Sequence, residues 1–240
     1  MTRHIEPELL DELSPDNPGA TGSRRDLRRL NTWMGHIAIA AQTLRASVRA
    51  QAPCRILDLG AGDGRFLLGV ARRLARDWPA VEVTLLDRQN IVDPAILRAF
   101  AQTGWTAKTL ITDVLDWGRQ PASRSWGVVI TNLFLHHFSD AQLAELFPAI
   151  ARRAPVLVAL EPRRCARSLL FSRLIWLIGC NRVTRHDALA SVRAGFAGRE
   201  LSRLWPDAPG WSLEERPAGR FSHLFIARNQ PSASLTEEPH

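Results

Sequence analysis

Three glycines at alternate positions, Gly60, Gly62 and Gly64, follow a short apolar run that ends in Asp58. The stretch Cys54–Gly69, CRILDLGAGDGRFLLG, constrains this chain more than any other. Arg55-Ile56-Leu57 reads as a strand, and Phe66, Leu67, Val70 and Leu74 recur at helical spacing behind the glycines. Strand, glycine turn and helix open a nucleotide-binding α/β unit, because glycine lets the backbone pass close to a ligand where a Cβ would collide. The spacing is G-x-G-x-G, not the G-x-G-x-x-G of dinucleotide sites, and Asp58 stands two residues ahead. That departure argues against a bound pyrophosphate and for a ligand made of an amino acid and a nucleoside.

Strands and helices alternate from there on. Arg55–Leu59 is followed by a helix over Arg65–Trp78, Val81–Leu86 by a helix near Pro94–Thr103, and Thr106–Ile111 is the third strand. Gly127–Thr131 is the fourth strand, Ser139-Asp-Ala-Gln142 reads as a capping box, and Pro148 is expected to kink or end the helix it opens. The fifth strand is Val156–Leu160. Apolar runs flanked by helices are strands buried on both faces, which predicts an α/β fold with a doubly wound, mostly parallel sheet. Trp211–Arg216 and Phe221–Arg228, around a Pro-Ala-Gly turn, read as a terminal hairpin.

Before the sheet, residues 5–13 read as a short helix and Ser14–Gly22 as a loop. Leu27, Leu30, Met34, Ile37, Ala41, Leu44 and Val48 then keep a 3-4-3-4 spacing, which predicts one amphipathic helix of about six turns from Ser23. Pro162–Gly210, between the fifth strand and the hairpin, is longer than one crossover helix needs. Within it Arg167–Cys180 is apolar and helical, and Asp187 is placed as the cap of a helix carrying Leu189, Val192 and Phe196. Asn229–His240 is polar and reads as a disordered tail. The expected organisation is a single domain over 1–240: an N-terminal helical segment (1–50), a core (51–228) with an insertion at about 163–210, and the tail.

DLGAGDG resembles motif I of the class I S-adenosylmethionine-dependent methyltransferases, and its companions follow on schedule. They are Asp87 at the end of the second strand, Thr112-Asp113-Val114, and WGVVITNLFLHHF at Trp126–Phe138. The resemblance covers roughly residues 50–162. It implies a Rossmann-like sheet closed by an antiparallel hairpin, with S-adenosyl-L-methionine as cofactor and S-adenosyl-L-homocysteine as product. It further implies that Asp58 helps hold the methionine amino group, that Gly60, Ala61, Gly62 and Gly64 form the loop under the cofactor, and that Asp87 accepts from the ribose hydroxyls. Arg88 either stacks on the adenine edge or is exposed. Asp113 is preferred over Asp116 as acceptor of the adenine amino hydrogen, with the Val114 amide near the ring. Asn132 and Leu133 pass the methionine part.

His136 and His137 are general-base candidates, since an imidazole near pKa 6.5 suits removal of a proton from an acidic hydroxyl; in many relatives one histidine of such a pair is structural. Glu161, Trp33, Arg185 and His186 are candidate substrate contacts, with an Asp187–Arg193 pair as the competing reading of the last two. Arg28 and Asn31, with Trp33, are expected to face the cavity. Helices at the insertion suggest a lid. Leu169, Leu170, Leu174, Leu177 and Ile178 either roof the pocket, pack inward, or, with Arg164, Arg167 and Arg173 beside them, skim a membrane.

Composition bounds the rest. At 45% hydrophobic and 23% charged the chain is of ordinary globular make-up, with net charge 31 − 24 = +7 carried by arginine in all but Lys108. That skew is weak support for a nucleic-acid partner, and the N/D-P-P-Y/F motif of base N-methylation is missing. Cysteines 54, 165 and 180 lack C-x-x-C spacing, so no metal site is expected, and the chain is placed in a reducing cytoplasm. There is no tyrosine for phenolic acid–base chemistry. No apolar run reaches the length of a spanning helix. The resulting expectation is a cytoplasmic methyltransferase, monomer or homodimer, acting on a small apolar or phenolic metabolite of secondary metabolism, at oxygen in preference to carbon or nitrogen. The alternatives are a nucleic-acid methyltransferase and a non-catalytic cofactor-fold protein.

Overall fold

The computed structural model describes residues 1–14, 16–48, 55–122 and 125–229; Cys54 and the predicted disordered tail beyond Asn229 lie outside them. The strands are β1 (Arg55–Leu59), β2 (Glu82–Asp87), β3 (Thr106–Ile111), β4 (Val128–Asn132), β5 (Val156–Pro162), β6 (Trp211–Ala218) and β7 (Ser222–Asn229). They form one seven-stranded sheet in the order β3-β2-β1-β4-β5-β7-β6. β1 to β5 pair in parallel, and β7 runs antiparallel between β5 and β6. The doubly wound parallel sheet and its terminal hairpin are therefore as expected, apart from shifts at strand ends. The predicted Pro-Ala-Gly turn moves, because Pro217 and Ala218 pair with His223 and Ser222 inside the hairpin.

Alternation along each strand sends its side chains to two cores. Ile56, Val83, Leu85, Val128, Ile130 and Val158 face α3 (His36–Ser47), α4 (Arg65–Leu74) and α5 (Pro94–Ala101). Leu57, Leu59, Val129, Leu157 and Phe225 face α6 (Val114–Arg119), α7 (Asp140–Ala151) and α10 (Glu200–Leu204). The Ser139–Gln142 capping box is present, and α7 runs on through Pro148 to Ala151 instead of ending there.

The N-terminal segment departs from the prediction. α1 covers only Leu9–Glu12, and α2 (Pro18–Met34) starts inside the expected loop, because Asn17 caps it by accepting from Gly19 N at 2.8 Å and Pro18 stands at its first turn. The predicted six-turn helix is two helices. Gly35 adopts φ 73°, its N–H bonds back to Asn31 and Thr32, and α3 begins on the next residue. An apolar period spanning the break reflects two helices packed against one molecule, not one continuous rod.

In the insertion, α8 (Ala166–Leu174) passes into a 3-10 turn (Ile175–Ile178), followed by α9 (Arg182–Ala194). Asn181, not Asp187, caps α9, accepting from Thr184 N at 2.8 Å. Asp187 lies in the second turn of that helix and caps a different one: its two oxygens accept from Leu9 N at 2.8 Å and Leu10 N at 2.9 Å, at the start of α1. No described helix is long and apolar enough to cross a membrane.

Candidate functional site

A cavity of about 940 Å³ lies at the carboxyl ends of β1 to β4. In an open parallel sheet this edge collects the loops that follow each strand, so ligand contacts are concentrated there. From β1 come Asp58, Gly60, Ala61 and Gly62; from β2, Asp87 and Arg88; from β3, Asp113 and Val114; from β4, Asn132 and Leu133. All of these predicted cofactor contacts line the cavity. Gly64 does not: a Cβ built there points at Leu85 and Ile96, 3.1 and 3.3 Å away, so this glycine seats the start of α4 on the core.

The glycine loop is fixed by carboxylates and sterics. Asp87 accepts from Gly62 N at 2.8 Å through one oxygen and from Gln89 N at 2.8 Å through the other. Gly60 has φ 70°, and a Cβ on it would stand 2.2 Å from the Phe134 ring. At Gly62 the same construction meets nothing within 4 Å, so the loop is open towards the cavity. Asp58 is buried, and its Oδ2 has no hydrogen-bond partner in the described structure; Asn31 Oδ1, on the same cavity, is likewise buried and unmatched. Burial, and then the charge of Asp87, push the Asp58 carboxyl well above the usual carboxylate range. Unmatched buried acceptors are rare in folded proteins, and two in one cavity suit a hydrogen-bond-donating, cationic ligand group. The ammonium of an amino-acid moiety is such a donor, so S-adenosylmethionine fits this wall.

Asp113 caps α6, accepting from Leu115 N at 2.7 Å, and lines the cavity. Asp116 faces away, paired with Arg119 at 3.1 Å in an exposed bridge. Of the two, only Asp113 lines the cavity. Asn132 is held from behind: His36 Nδ1 lies 2.7 Å from its Oδ1, and His36 Nε2 lies 2.6 Å from Ser222 Oγ. Burial keeps that imidazole neutral, holding its pKa down to about 4 against the opposing bond to Asn132. Leu133 has φ 54°, strained for a residue with a branched Cγ, at the point where β4 enters the cavity wall.

The two histidines separate. His136 is buried, with Nδ1 2.8 Å from Glu161 and Nε2 3.3 Å from Glu8. Burial disfavours its charge, but the bonds to Glu161 and Glu8 outweigh this and raise its pKa to about 9. Glu8 responds in the opposite sense: burial opposes its charge, yet the bond to His136 brings it down to about 2. His136 is therefore an imidazolium locked between two carboxylates, and its assignment as a general base is corrected to that of an anchor. His137 lines the cavity beside Phe134 and Phe138. Glu8, His136 and His137 bring ligand atoms within 4.8 Å of one another, close enough to hold a metal ion. A cation there would first have to displace the proton between His136 and Glu8.

None of the four predicted substrate contacts lines the cavity: three stand on exposed helix faces and one lies behind the wall. Trp33 stacks outward on Phe171 and Phe221, 4.9 and 5.4 Å away. Arg185 and His186 are exposed on α9, with His186 against Asp187 at 3.0 Å. The fourth, Glu161, is buried behind the wall, where it accepts from the amides of Phe134, Leu135 and His136. It shapes the loop after β4 and does not reach the cavity.

Arg28 and Asn31 do line it, as expected, but the roof comes from residues that pattern reading passed over: Ile5, Glu6, Pro7, Glu8 and Leu10. Arg3 ties this segment down, donating to Phe138 O at 2.6 Å and Ala194 O at 2.8 Å and pairing with Asp140 at 2.6 Å. No residue of the 163–210 insertion lines the cavity, so the expected lid is a buttress: α9 carries Asp187, Ser191 and Arg193, which bond to α1, Glu8 and Glu6. The only advance signal was the polar density of Arg185–Asp187, and its partners lie more than 170 residues upstream.

A parallel sheet ordered 3-2-1-4-5-7-6, with acidic residues at three strand ends around a glycine loop, defines the class I S-adenosylmethionine-dependent methyltransferase fold. Comparison with known proteins agrees: residues 56–154 match the family model described as a methyltransferase domain. Among solved structures, an O-methyltransferase family protein from Burkholderia thailandensis is similar with TM-score 0.59 at 20% identity, over 85% of this chain and 57% of that one. The pyocyanin biosynthetic protein PhzM is similar with TM-score 0.56 at 15% identity, over 89% and 59%. Human N-acetylserotonin methyltransferase, solved in complex with S-adenosylmethionine, is similar with TM-score 0.50 at 13% identity, over 93% and 63%. The chain thus spans about six-tenths of the length of these structural neighbours. No curated protein matches it in sequence.

Proposed function

We propose that this chain is an S-adenosylmethionine-dependent methyltransferase that methylates a hydroxyl of a small apolar or phenolic metabolite. The observation that carries the reading is the pair of unmatched buried acceptors, Asp58 and Asn31, in a cavity that Asp87 and Asp113 also line. When bound, the cofactor supplies an electrophilic methyl group on a positively charged sulfur. Asp58 would hold its ammonium, Asp87 its ribose hydroxyls and Asp113 its adenine amino group. Charge is lost on the way to the transition state, so the protein's task is alignment and exclusion of water, with a base only where the acceptor carries a proton.

His137 supplies that base. It stands on the cavity wall while its neighbour is held as an imidazolium, and Phe134, Phe138, Leu10 and Ile5 make the surroundings apolar. The apolar side chains Ile5, Leu10, Phe134 and Phe138 beside His137 give a flat phenolic or similar acceptor a surface to pack on, with Glu6, Glu8 and Gln142 among the polar groups near it. The O-methyltransferase among the structural neighbours and the biosynthetic role of PhzM point the same way.

The test is calorimetry with S-adenosylhomocysteine followed by methyl transfer from labelled cofactor to a panel of phenols. Binding with transfer to oxygen is the expected result; absence of cofactor binding overturns the reading. With an active acceptor in hand, His137→Asn should lower kcat ~10²–10⁴-fold while leaving S-adenosylhomocysteine affinity in place.

A further inference from the structure

We infer that the surface formed by α8, the 3-10 turn after it and the outer face of α2 is a docking site for an anionic lipid bilayer. The inference needs only this surface and does not depend on the proposed reaction.

The carrying observation is an inverted helix. In α8 the serines are inside, Ser168 and Ser172 being buried, while Leu170 and Leu174 face solvent. The inversion continues into the turn, where Trp176 is 53% and Leu177 62% exposed and Ile178 is exposed beside them. A helix that packs only on its own core does the opposite, since burying leucine in place of serine is favourable. Trp33, also exposed, extends the patch across α2 by stacking on Phe171, which stacks in turn on Phe221 of the hairpin turn at 4.5 Å. Contiguous exposed apolar surface of this kind marks an interaction site.

The charge around the patch selects the partner. Between Glu161 and Asp187 the chain has no acidic residue. Arg164 is occupied internally by Met1 O, Gly195 O and Glu200. Arg167, Arg173, Arg182 and Arg220 are exposed and have no carboxylate partner among the described residues. Arginine around leucine and tryptophan matches a membrane interface: the aliphatic and indole groups enter the acyl boundary, and the guanidinium groups reach anionic headgroups. A second copy of the chain fits less well, because a two-fold contact would bring the same arginines against each other. RNA fits less well too, since the projecting side chains are mainly aliphatic and offer bases little to stack on.

Flotation of the full chain with vesicles of mixed phosphatidylglycerol and phosphatidylcholine tests this. Binding should be present with the mixture, absent with phosphatidylcholine alone, and weaker at high salt. Trp176→Ser with Leu177→Ser, and separately Arg167→Glu with Arg173→Glu, should each reduce vesicle binding at least ~10-fold. Both variants should keep S-adenosylhomocysteine affinity within about twofold of wild type and an unchanged melting curve, because all four side chains are exposed and remote from the cavity. Arg72→Glu with Arg73→Glu on α4 reverses the same charge elsewhere and should leave most of the binding. Failure to float with anionic vesicles overturns the inference. So does equal loss in the α4 variant, which would mark diffuse charge, or a concentration-dependent dimer that Leu177→Ser dissociates in the absence of vesicle binding.

Discussion

The floor of the cavity and its roof are built on different principles. The floor, from Asp58 to Asn132, is a series of strand-end loops placed by the strand–loop–helix order of the chain and braced across strands by Asp87 on Gly62, Phe134 on Gly60 and His36 on Asn132. The roof, residues 5–12, has no regular structure except the short α1 and is held by side chains of α9 and of the loop after β4, more than 120 residues away. Local sequence therefore encodes the order and ends of the strands that make the floor, while the roof exists only when the chain is fully folded. A ligand wall assembled from distant segments opens at lower free energy than one built into a sheet, which suits a surface that must admit substrate.

The sharpest way to break this comparison is at the joint between the two. His136→Leu leaves Glu8 and Glu161 facing each other without the cation between them, and it should destabilise the protein by about 3–5 kcal/mol, lowering Tm by ~6–20 °C. A loss under about 1 kcal/mol in chemical denaturation would mean that floor and roof are not coupled through His136. Asp87→Ala acts on the floor alone. It removes the clamp on Gly62 and Gln89 together with the proposed ribose acceptor, and it should cost about 2–4 kcal/mol of S-adenosylhomocysteine binding, roughly 30- to 1000-fold. Calorimetry that finds near-normal affinity in a folded variant would take Asp87 out of the site.

Asp187→Ala acts on the roof alone. Two amides at the start of α1 lose their acceptor, a capping loss of about 1–2 kcal/mol. The expected signature is a raised KM for the acceptor with cofactor affinity unchanged, and a parallel fall in both would show that the roof also shapes the cofactor wall. The smallest effect is a pH dependence. The folded pKa of His136 is raised to about 9, so its contribution is complete below its ordinary value of 6.5 and is lost as pH rises through about 9. That of Glu8 is depressed to about 2, so its contribution is present above 4.5 and is lost as pH falls through about 2. Glu8→Gln should accordingly cost about 1–2 kcal/mol between those limits, and the difference from wild type in melting experiments should fade above pH ~9. A difference that is constant up to pH ~11 would mean the pair is not held by charge.

How far the sequence could be read follows from the same division. The strand series, the acidic strand ends and Gly60 and Gly62 were legible because their cause is local: apolar runs, turn residues and the steric freedom of glycine. Gly64 has the same spacing, but its surroundings turn it to the core. His136 and His137 are adjacent, and nothing in their order tells which is enclosed; Glu161 and Glu8, 25 residues after and 128 before His136, decide it. Trp33 has the amphipathic position of a cavity residue, but Phe171 and Phe221 draw it to the outer face. Asp187 has the look of a cap and is one, for a helix at the other end of the chain.

By itself, then, the sequence determined the sheet, the glycine loop and the acidic residues at the strand ends, since hydrophobic periodicity and backbone sterics act over a few residues. The tertiary structure alone decided the roof, the roles of the two histidines and the outward turn of α8. Each of those depends on which charges and rings meet after the chain has closed, and pairings between segments distant in the chain leave no periodic trace in the sequence.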